Sequence, residues 1–187
     1  NFFNKKIYEI TAPLNNLDRN LNRGTLKGII YQLRESLGIV KLNSVKEFIP
    51  NLSKAEKKIL TDMRIIIGEY FLWHTSALIK DHEEFIWKLF QIYNGYKPKI
   101  RYPDFNKPVN IKRIPYNLSQ SREFLLIGNY IYNYELIENI TKILRRLVKS
   151  NNAFYLSKKN FNILNKTYSL SYEQIKEILI FIGSKKD

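Results

Sequence analysis

The residues best suited to chemistry in this sequence are cationic, and the chemistry they indicate is phosphate binding. Lys97, Lys99 and Arg101 alternate with Tyr96 and Tyr102 along one short segment. Lysine and arginine neutralise phosphates and release counterions, while tyrosine rings give bases a surface to stack on. The alternative for the two tyrosines is packing of this segment onto a core. The pattern predicts a contact with single-stranded nucleic acid.

Three further basic clusters are candidates for the same role. Lys112 and Arg113 lie in a proline-rich segment, and Lys54, Lys57 and Lys58 share one flank of an expected helix. The last cluster combines the end of one expected helix with the start of the next. The full set of candidate nucleic-acid-binding residues is Lys97, Lys99, Arg101, Tyr102, Lys112, Arg113, Arg145, Arg146, Lys149, Lys158 and Lys159.

The overall charge supports an anionic partner but has a second explanation. The chain carries a formal net charge of +14 at pH 7. Clustered Lys and Arg on that scale are typical of nucleic-acid-binding proteins. However, the chain has 22 Lys against 9 Arg, together with 20 Asn, which is the composition that AT-rich coding produces. Part of the charge is therefore expected to reflect composition and not function.

Catalytic and metal-binding patterns are not found. The sequence contains no GxxxxGK[ST] phosphate loop, no GxGxxG and no GxSxG elbow. It has no cysteine, and His74 and His82 are eight residues apart without a recognisable ligand spacing. Glu83 and Glu84 are adjacent, so on a helix they point in different directions and suit a helix N-terminus better than acid–base catalysis. The sequence predicts no catalytic residue and no metal site in this chain.

Composition and length limit the class of protein. A chain of 187 residues with 44% hydrophobic residues can fold around a sizeable core. No apolar run reaches the roughly 20 residues of a membrane-spanning helix. We therefore expect a cytoplasmic protein with no membrane partner. Because the sequence begins at Asn1 without Met, we also expect it to be a piece of a longer chain.

The first half of the sequence has mainly helical periodicity. Apolar residues from Leu26 to Leu37 recur at helical spacing, and Gly38 follows where a left-handed residue ends many helices. Ser53 and Glu56 form a capping-box pattern that predicts a helix to about Arg64. The β-branched and aromatic run Ile65–Trp73 predicts one buried strand interrupted at Gly68. A helix from Asp81 or His82 to Tyr93 is expected next.

Four individual residues of this half have a structural interpretation. Trp73 and Trp87 lie in apolar segments, so burial in a core is favoured over base stacking. Gly24 and Gly28, four residues apart in a helical pattern, are expected to let two helices pack closely.

The second half begins with four prolines, at positions 98, 103, 108 and 115. They indicate an extended arm or linker over residues 96–119. Beyond it we expect a strand at Phe124–Tyr132, a helix at Tyr134–Lys149, a short strand at Ala153–Leu156 and a helix near Lys158–Leu164. A second capping box, Ser171 with Gln174, predicts a last helix that ends at Gly183.

These elements predict an α+β fold that is mainly helical, with short strands packed against helices and a Pro-rich arm between two subdomains. The expected divisions are a linker with a partial helix at 1–22, a helical subdomain with one strand at 23–95, the arm at 96–119 and an α+β subdomain at 120–187.

Several of these segments, in order, resemble one protein family. The segment 26–38 (LKGIIYQLRESLG) is similar to a helix in the C-terminal region of alphaproteobacterial Suv-type helicases. These are superfamily-two, ATP-dependent enzymes related to the helicase of the mitochondrial degradosome. The segment 60–73 resembles the family's Gly-Val-Arg-Phe-Gly strand, and 76–80 resembles its Pro-Ala-Leu-Leu-Lys turn. Ile67 and Ser76 depart from that pattern, which has Phe and Pro at these positions.

The resemblance implies a C-terminal accessory module behind a helicase motor. ATP and Mg²⁺ would be bound by motor domains upstream, and this chain would have no cofactor of its own. The implied partners are single-stranded RNA or DNA and the motor itself. The alternative is a protein-interaction module that docks an acidic partner or the motor. We expect such an interaction module to have an exposed apolar patch formed by Ile178, Phe181 and Ile182.

Overall fold

The computed structural model describes residues 2–15, 24–78, 80–104, 106–121, 123–151 and 158–183. The chain divides into two compact units, the N-terminal unit Asn1–Ile100 and the C-terminal unit Arg101–Asp187. Both contain helices and one small antiparallel sheet. The expected α+β, mainly helical fold is confirmed.

The described residues of the N-terminal unit form four helices and three short strands. In chain order the elements are α1 Phe2–Asn15, α2 Gly24–Glu35, β1 Ile39–Lys41, a 3₁₀ turn Leu42–Ser44, α3 Lys54–Asp62, β2 Ile65–Ile67, β3 Phe71–His74, a 3₁₀ turn Thr75–Leu78 and α4 Lys80–Tyr93. The sheet has the order β1-β3-β2, so the last strand lies in the middle. Ile39 pairs with Trp73, and Ile66 pairs with Trp73 from the other side.

The core of this unit joins α2 to the sheet. Leu26, Ile29, Ile30 and Leu33 form one buried face of α2, at the i, i+3, i+4, i+7 spacing of an amphipathic helix. They pack in one cluster whose other buried members are Val40, Val45, Leu52, Leu60, Ile65 and Leu72. The left-handed residue that ends α2 is Leu37, with a φ of +51°, and not Gly38 as the sequence predicted. Gly38 follows with a φ of +94°, and its N–H donates to the Leu33 carbonyl at 2.7 Å.

Gly28 does not serve helix–helix packing as the sequence suggested. A Cβ atom at Gly28 would lie 3.0 Å from Cζ of Phe48, which belongs to the turn segment before α3 and not to a helix. Gly24 has nothing within 4 Å of the corresponding position. The small residue at position 28 therefore makes room for an aromatic ring.

Helix α3 begins where the capping box predicts. The Ser53 hydroxyl accepts the Glu56 backbone N–H at 3.2 Å, and the Glu56 carboxylate accepts the Ser53 backbone N–H at 2.8 Å. Each side chain satisfies a backbone donor that the first helical turn leaves free. Arg64, just after the helix, has a φ of +59°.

The C-terminal unit places a second small sheet among helices. Its elements are β4 Val109–Asn110, a 3₁₀ turn Ile111–Arg113, the one-turn helix α5 Tyr116–Ser119, β5 Phe124–Ile127, β6 Tyr130–Asn133, α6 Tyr134–Asn151, α7 Lys158–Tyr168 and α8 Tyr172–Gly183. The sheet order is β4-β6-β5, again with the last strand in the middle. Helices α6 and α8 pack on this sheet and on each other.

Side-chain hydrogen bonds cap the first turns of α6 and α8. The Asn133 side chain accepts the Leu136 backbone N–H at 2.8 Å and caps α6. The predicted second capping box is confirmed, because Ser171 and Gln174 exchange hydrogen bonds of 2.8 and 3.2 Å before α8.

Two of the predicted strands lie where the sequence placed them, but each of them is a pair of antiparallel strands and not a single strand. The run Ile65–Trp73 is a hairpin of β2 and β3, and the run Phe124–Tyr132 is a hairpin of β5 and β6. The described part of the N-terminal unit therefore holds three strands where one was expected. The short strand expected at 153–156 lies outside the described residues.

The Pro-rich segment is a folded part of the C-terminal unit over much of its length. Val109 and Asn110 pair with Ile131 and Tyr130, and the residues after them form a 3₁₀ turn and α5. The compact units meet in sequence at Ile100, inside the segment expected to be an arm. Pro115 occupies the N-cap of α5 with φ −52°, so here proline starts a helix.

Candidate nucleic-acid interface

The first candidate cluster lies at the end of the N-terminal unit, where two α4 side chains hold the backbone of Ile100. The Gln91 amide accepts the Ile100 N–H at 2.9 Å and donates to the Ile100 carbonyl at 2.8 Å. The Trp87 indole N–H donates to the same carbonyl at 2.9 Å. Gln91 and Trp87 are almost fully buried, so this connection is protected from water.

This connection fixes the backbone that carries Lys97 and Lys99. Both lysines are exposed, on either side of Pro98. Tyr96 is half-buried, and its backbone N–H donates to the Gln91 carbonyl at 2.9 Å. Trp87 was predicted to be a core residue and is one, but the role of its N–H was missed. The only sequence signal was the i, i+4 spacing of Trp87 and Gln91 on one helix face.

In the C-terminal unit the cluster continues with Arg101, which is exposed, and Tyr102, which is half-buried. Tyr96 and Tyr102 are thus both partly covered by the protein. The partial burial fits both interpretations of these tyrosines, packing and stacking. Arg101 is the stronger candidate of the pair for a phosphate contact.

Lys112 and Arg113 form the best-defined candidate cluster. They lie in the 3₁₀ turn after β4, and both side chains are exposed. The turn is held at three points: the Asn110 side chain accepts the Lys112 N–H at 2.9 Å, the Ile111 N–H donates to the Asn129 carbonyl at 2.9 Å, and Ile114 is buried. Two cations are thus presented from a fixed backbone.

Tyr116 is a candidate that the sequence reasoning missed. It is the first residue of α5, three positions after Arg113, and 66% of its surface is exposed. An exposed aromatic ring close in sequence to two cations suits base stacking. Its only sequence signal was its position three residues after Arg113.

The last cluster is divided between two helices. Arg146 on α6 and Lys158 and Lys159 at the start of α7 are exposed. Arg145 is half-buried and makes interactions within the protein. Lys149 lies on α6, and its side chain is outside the described part of the structure. Arg145 is therefore a weaker candidate than the sequence indicated.

Ion pairing leaves most of these cations available. Among the described residues, ion pairs join Lys6 to Glu9 at 3.1 Å and Lys107 to Asp104 at 3.8 Å. Neither pair involves a candidate residue. The exposed candidates without an ion pair in that part of the chain are Lys97, Lys99, Arg101, Lys112, Arg113, Arg146, Lys158 and Lys159.

His74 in β3 adds no positive charge to the surface. Burial, and then the nearby Arg64 guanidinium, lower the pKa of His74, while a backbone hydrogen bond with Met63 opposes them. Its Nδ1 accepts the Ser76 backbone N–H at 3.1 Å, which assigns the proton to Nε2 in the neutral ring. His74 is therefore a structural residue of the N-terminal sheet.

The apolar patch expected for a protein-docking module is not formed by the residues proposed for it. Ile178 and Ile182 are buried in the C-terminal unit, and Phe181 is half-buried. They form the inner face of α8, which packs on α6 and β5. The pattern that indicated a docking patch is that of a core helix.

Comparison with protein-family models, with curated proteins and with solved structures finds no match to this chain. In the described ranges, no helix combines the length and apolar character needed to cross a membrane. The same ranges hold no group of three or more His, Asp or Glu side chains arranged to bind a metal ion.

Proposed function

We propose that this chain is an accessory module of an ATP-dependent helicase that contacts single-stranded RNA or DNA without sequence preference. In this proposal the motor domains lie upstream, bind ATP and Mg²⁺, and act in the cytoplasm. The resemblance of the segments 26–38, 60–73 and 76–80 to that helicase family supports the helicase context. The contact with nucleic acid is supported by the charged surface.

The observation that carries the proposal is the set of exposed cations without ion pairs. Lys112 and Arg113 are its centre, since a folded turn fixes their backbone and Tyr116 is exposed close by in sequence. Lysine and arginine side chains in water-exposed positions contact phosphates and carry no information about base sequence. An exposed tyrosine ring accepts any base, because every base has a π face.

The expected mechanism is guidance of a strand that leaves the motor. Each phosphate contact on a single strand releases about 0.7 counterion, so the affinity should fall steeply as salt rises. No group for base recognition is required. The alternative, docking of an acidic partner by the same cations, predicts no stacking and no preference for single strands.

The test is a titration of the chain with fluorescent single-stranded and duplex RNA and DNA across a salt series. We expect single strands to bind. The double variant Lys112→Ala/Arg113→Ala should make the negative slope of log affinity against log salt shallower by about 1.4, because two phosphate contacts are lost. Tyr116→Ala should weaken binding by a factor of about 5 or more, with an unchanged slope.

The matched control is Lys166→Ala/Lys176→Ala, which removes the same charge from exposed positions in the same unit. We expect it to change the slope less than Lys112→Ala/Arg113→Ala does. Equal effects of the two double variants would contradict a defined contact at Lys112 and Arg113. Binding would then depend only on the overall charge of the chain. Absence of binding at low salt would favour the docking alternative.

A further inference from the structure

Helix α3 of the N-terminal unit is exposed on nearly all sides. Of its nine residues only Glu56 and Leu60 are buried, one turn apart on a single face. Leu60 anchors the helix to the core cluster of α2 and the sheet. The remaining seven residues of α3 face solvent.

The outward face of α3 is cationic. At about 100° per residue, Lys54 and Lys58 point away from the buried pair, with Thr61 and Lys57 on one side of them and Ala55 and Asp62 on the other. None of the three lysines takes part in an ion pair within the described structure. Asp62 is the one opposing charge on this face.

Arg64 extends the same charge beyond the end of α3. Its side chain is exposed, and its φ of +59° is a left-handed conformation that usually selects glycine. The Arg64 carbonyl accepts the Thr75 N–H at 3.0 Å, which ties this residue to the end of β3. This backbone hydrogen bond holds the left-handed conformation, and an exposed cation therefore follows α3 directly in the chain.

Helix α3 lies between the turn segment after β1 and the β2–β3 hairpin, and only one of its faces is buried. Helix α2 is followed by β1, by a compact turn segment anchored by Val45 and Leu52, and then by α3 and the β2–β3 hairpin. The major groove of DNA admits an α-helix, while elements next to that helix can contact the backbone. The hairpin directly after α3 carries exposed Ile66 on its edge strand.

We propose that the outward face of α3, together with Arg64, is a docking surface for double-stranded DNA. With its side chains an α-helix is about 10–12 Å in diameter, which fits a major groove about 12 Å wide. The A-form groove of duplex RNA is too narrow for a helix, so DNA is the occupant. Lys54, Lys57 and Lys58 bind phosphates on the groove walls, and small Ala55 allows close approach.

This surface differs from the single-strand contact proposed above, so either proposal can fail alone. The experiment is a fluorescence titration of the full chain with duplex DNA, duplex RNA and single-stranded DNA. We expect Lys54→Glu/Lys58→Glu to weaken duplex DNA binding at least about tenfold and single-strand binding less than about twofold. We expect the unchanged chain to bind duplex DNA more tightly than duplex RNA.

The matched control is Lys27→Glu/Lys88→Glu, which makes the same change of charge at exposed positions on α2 and α4. It should affect duplex DNA binding less than the α3 variant does. A second variant, Thr61→Arg, adds a cation to the same face and should tighten duplex DNA binding. This variant tests the proposal even if the charge-reversed protein does not fold.

Three results would overturn the proposal. The first is duplex DNA binding that Lys54→Glu/Lys58→Glu leaves unchanged. The second is an equal loss in the control, which would show an effect of net charge alone. The third is duplex RNA bound as tightly as duplex DNA, which would exclude insertion of α3 into a major groove.

Discussion

The two units arrange their strands in the same way. In each, a short first strand is followed by a 3₁₀ turn, a helix and a hairpin, and the second hairpin strand lies in the middle of the sheet. The helix before the hairpin is nine residues long in the N-terminal unit and four in the C-terminal unit. One sheet arrangement thus presents cations from a projecting helix in the first unit and from a tight turn in the second.

The helices that pack on the two sheets differ in their order in the sequence relative to the strands. In the N-terminal unit α2 precedes the sheet and packs on β1 and β3. In the C-terminal unit α6 and α8 follow the sheet and pack on β5. The comparison shows that the small sheet is the shared part, since either order of helices can bury one of its faces.

The largest expected effect tests whether α3 and α5 are held in the same way. Leu60 of α3 and Leu118 of α5 are both fully buried. We expect Leu60→Ala and Leu118→Ala each to lower the free energy of unfolding by about 3 kcal/mol, because each leaves a cavity. Urea unfolding measures the loss, and hydrogen exchange shows which unit is affected.

Ile163→Ala is the control for both leucines, because Ile163 is 46% exposed; it should cost less than about 0.5 kcal/mol. A loss below 1 kcal/mol for Leu118→Ala would show that α5 is not anchored as α3 is, on the usual scale for buried leucines. The comparison of the two helices would then fail.

A smaller effect is expected at the end of the N-terminal unit. Gln91→Ala removes two hydrogen bonds to Ile100, and we expect a loss of about 2 kcal/mol. The Ile100 amide should exchange faster in the variant, which heteronuclear NMR can follow. Gln120→Ala, at an exposed position of the C-terminal unit, is the control. Unchanged exchange at Ile100 would show that Trp87 alone holds this segment.

The hairpin turn of the C-terminal unit should be less tolerant than a helix start in the N-terminal unit. Gly128 has a φ of +55°, and a Cβ atom there would meet the Glu177 carboxylate. We expect Gly128→Ala to cost about 1 kcal/mol or more. Gly24→Ala, with open space around position 24, should be neutral or slightly stabilising. Thermal unfolding of both variants decides, and equal melting temperatures would contradict this difference.

The weakest expected effects are changes of stability with pH, which arise from one residue in each central strand, His74 of β3 and Tyr132 of β6. Because the pKa of His74 is lowered below 6.5 in the folded state, the unfolded chain takes up the proton first, and stability should fall as pH drops through 6.5. Burial, and then the Glu177 carboxylate and Tyr130, raise the pKa of Tyr132. Its contribution to stability should therefore be lost as pH rises above 10.

Unfolding free energies across the pH range test both directions. His74→Phe should reduce the loss on the acid side, and Tyr132→Phe should reduce the loss on the alkaline side. Tyr132→Phe should also be neutral or stabilising at pH 7, because the buried Tyr132 hydroxyl has no hydrogen-bond partner in the described structure. The same acid dependence in His74→Phe would assign that dependence to other groups.

Local features of the fold were predictable from the sequence. The capping boxes Ser53–Glu56 and Ser171–Gln174 need only residues three apart, so their patterns identified α3 and α8. Strand pairing was not predictable in the same way. β1 has three residues and β4 has two, which is too short to show an alternating pattern, and their partners lie 20 to 34 residues away.

The candidate interface was predictable by residue type but not by position. The sequence identified Lys112 and Arg113, and the structure shows them exposed on a fixed turn. It also favoured Arg145, which is half-buried, and gave no weight to Tyr116. Side-chain exposure depends on which face of an element packs, and that choice involves residues distant in sequence.

The sequence by itself determined the charge, the helical segments and their caps, because these depend on composition and on neighbours within one helical turn. Only the tertiary structure decided that part of the Pro-rich segment joins a sheet and that Ile178 and Ile182 form core. Tertiary packing also left the cationic face of α3 in solvent. The physical reason is that burial and strand pairing are set by contacts between distant segments, which local propensity does not specify.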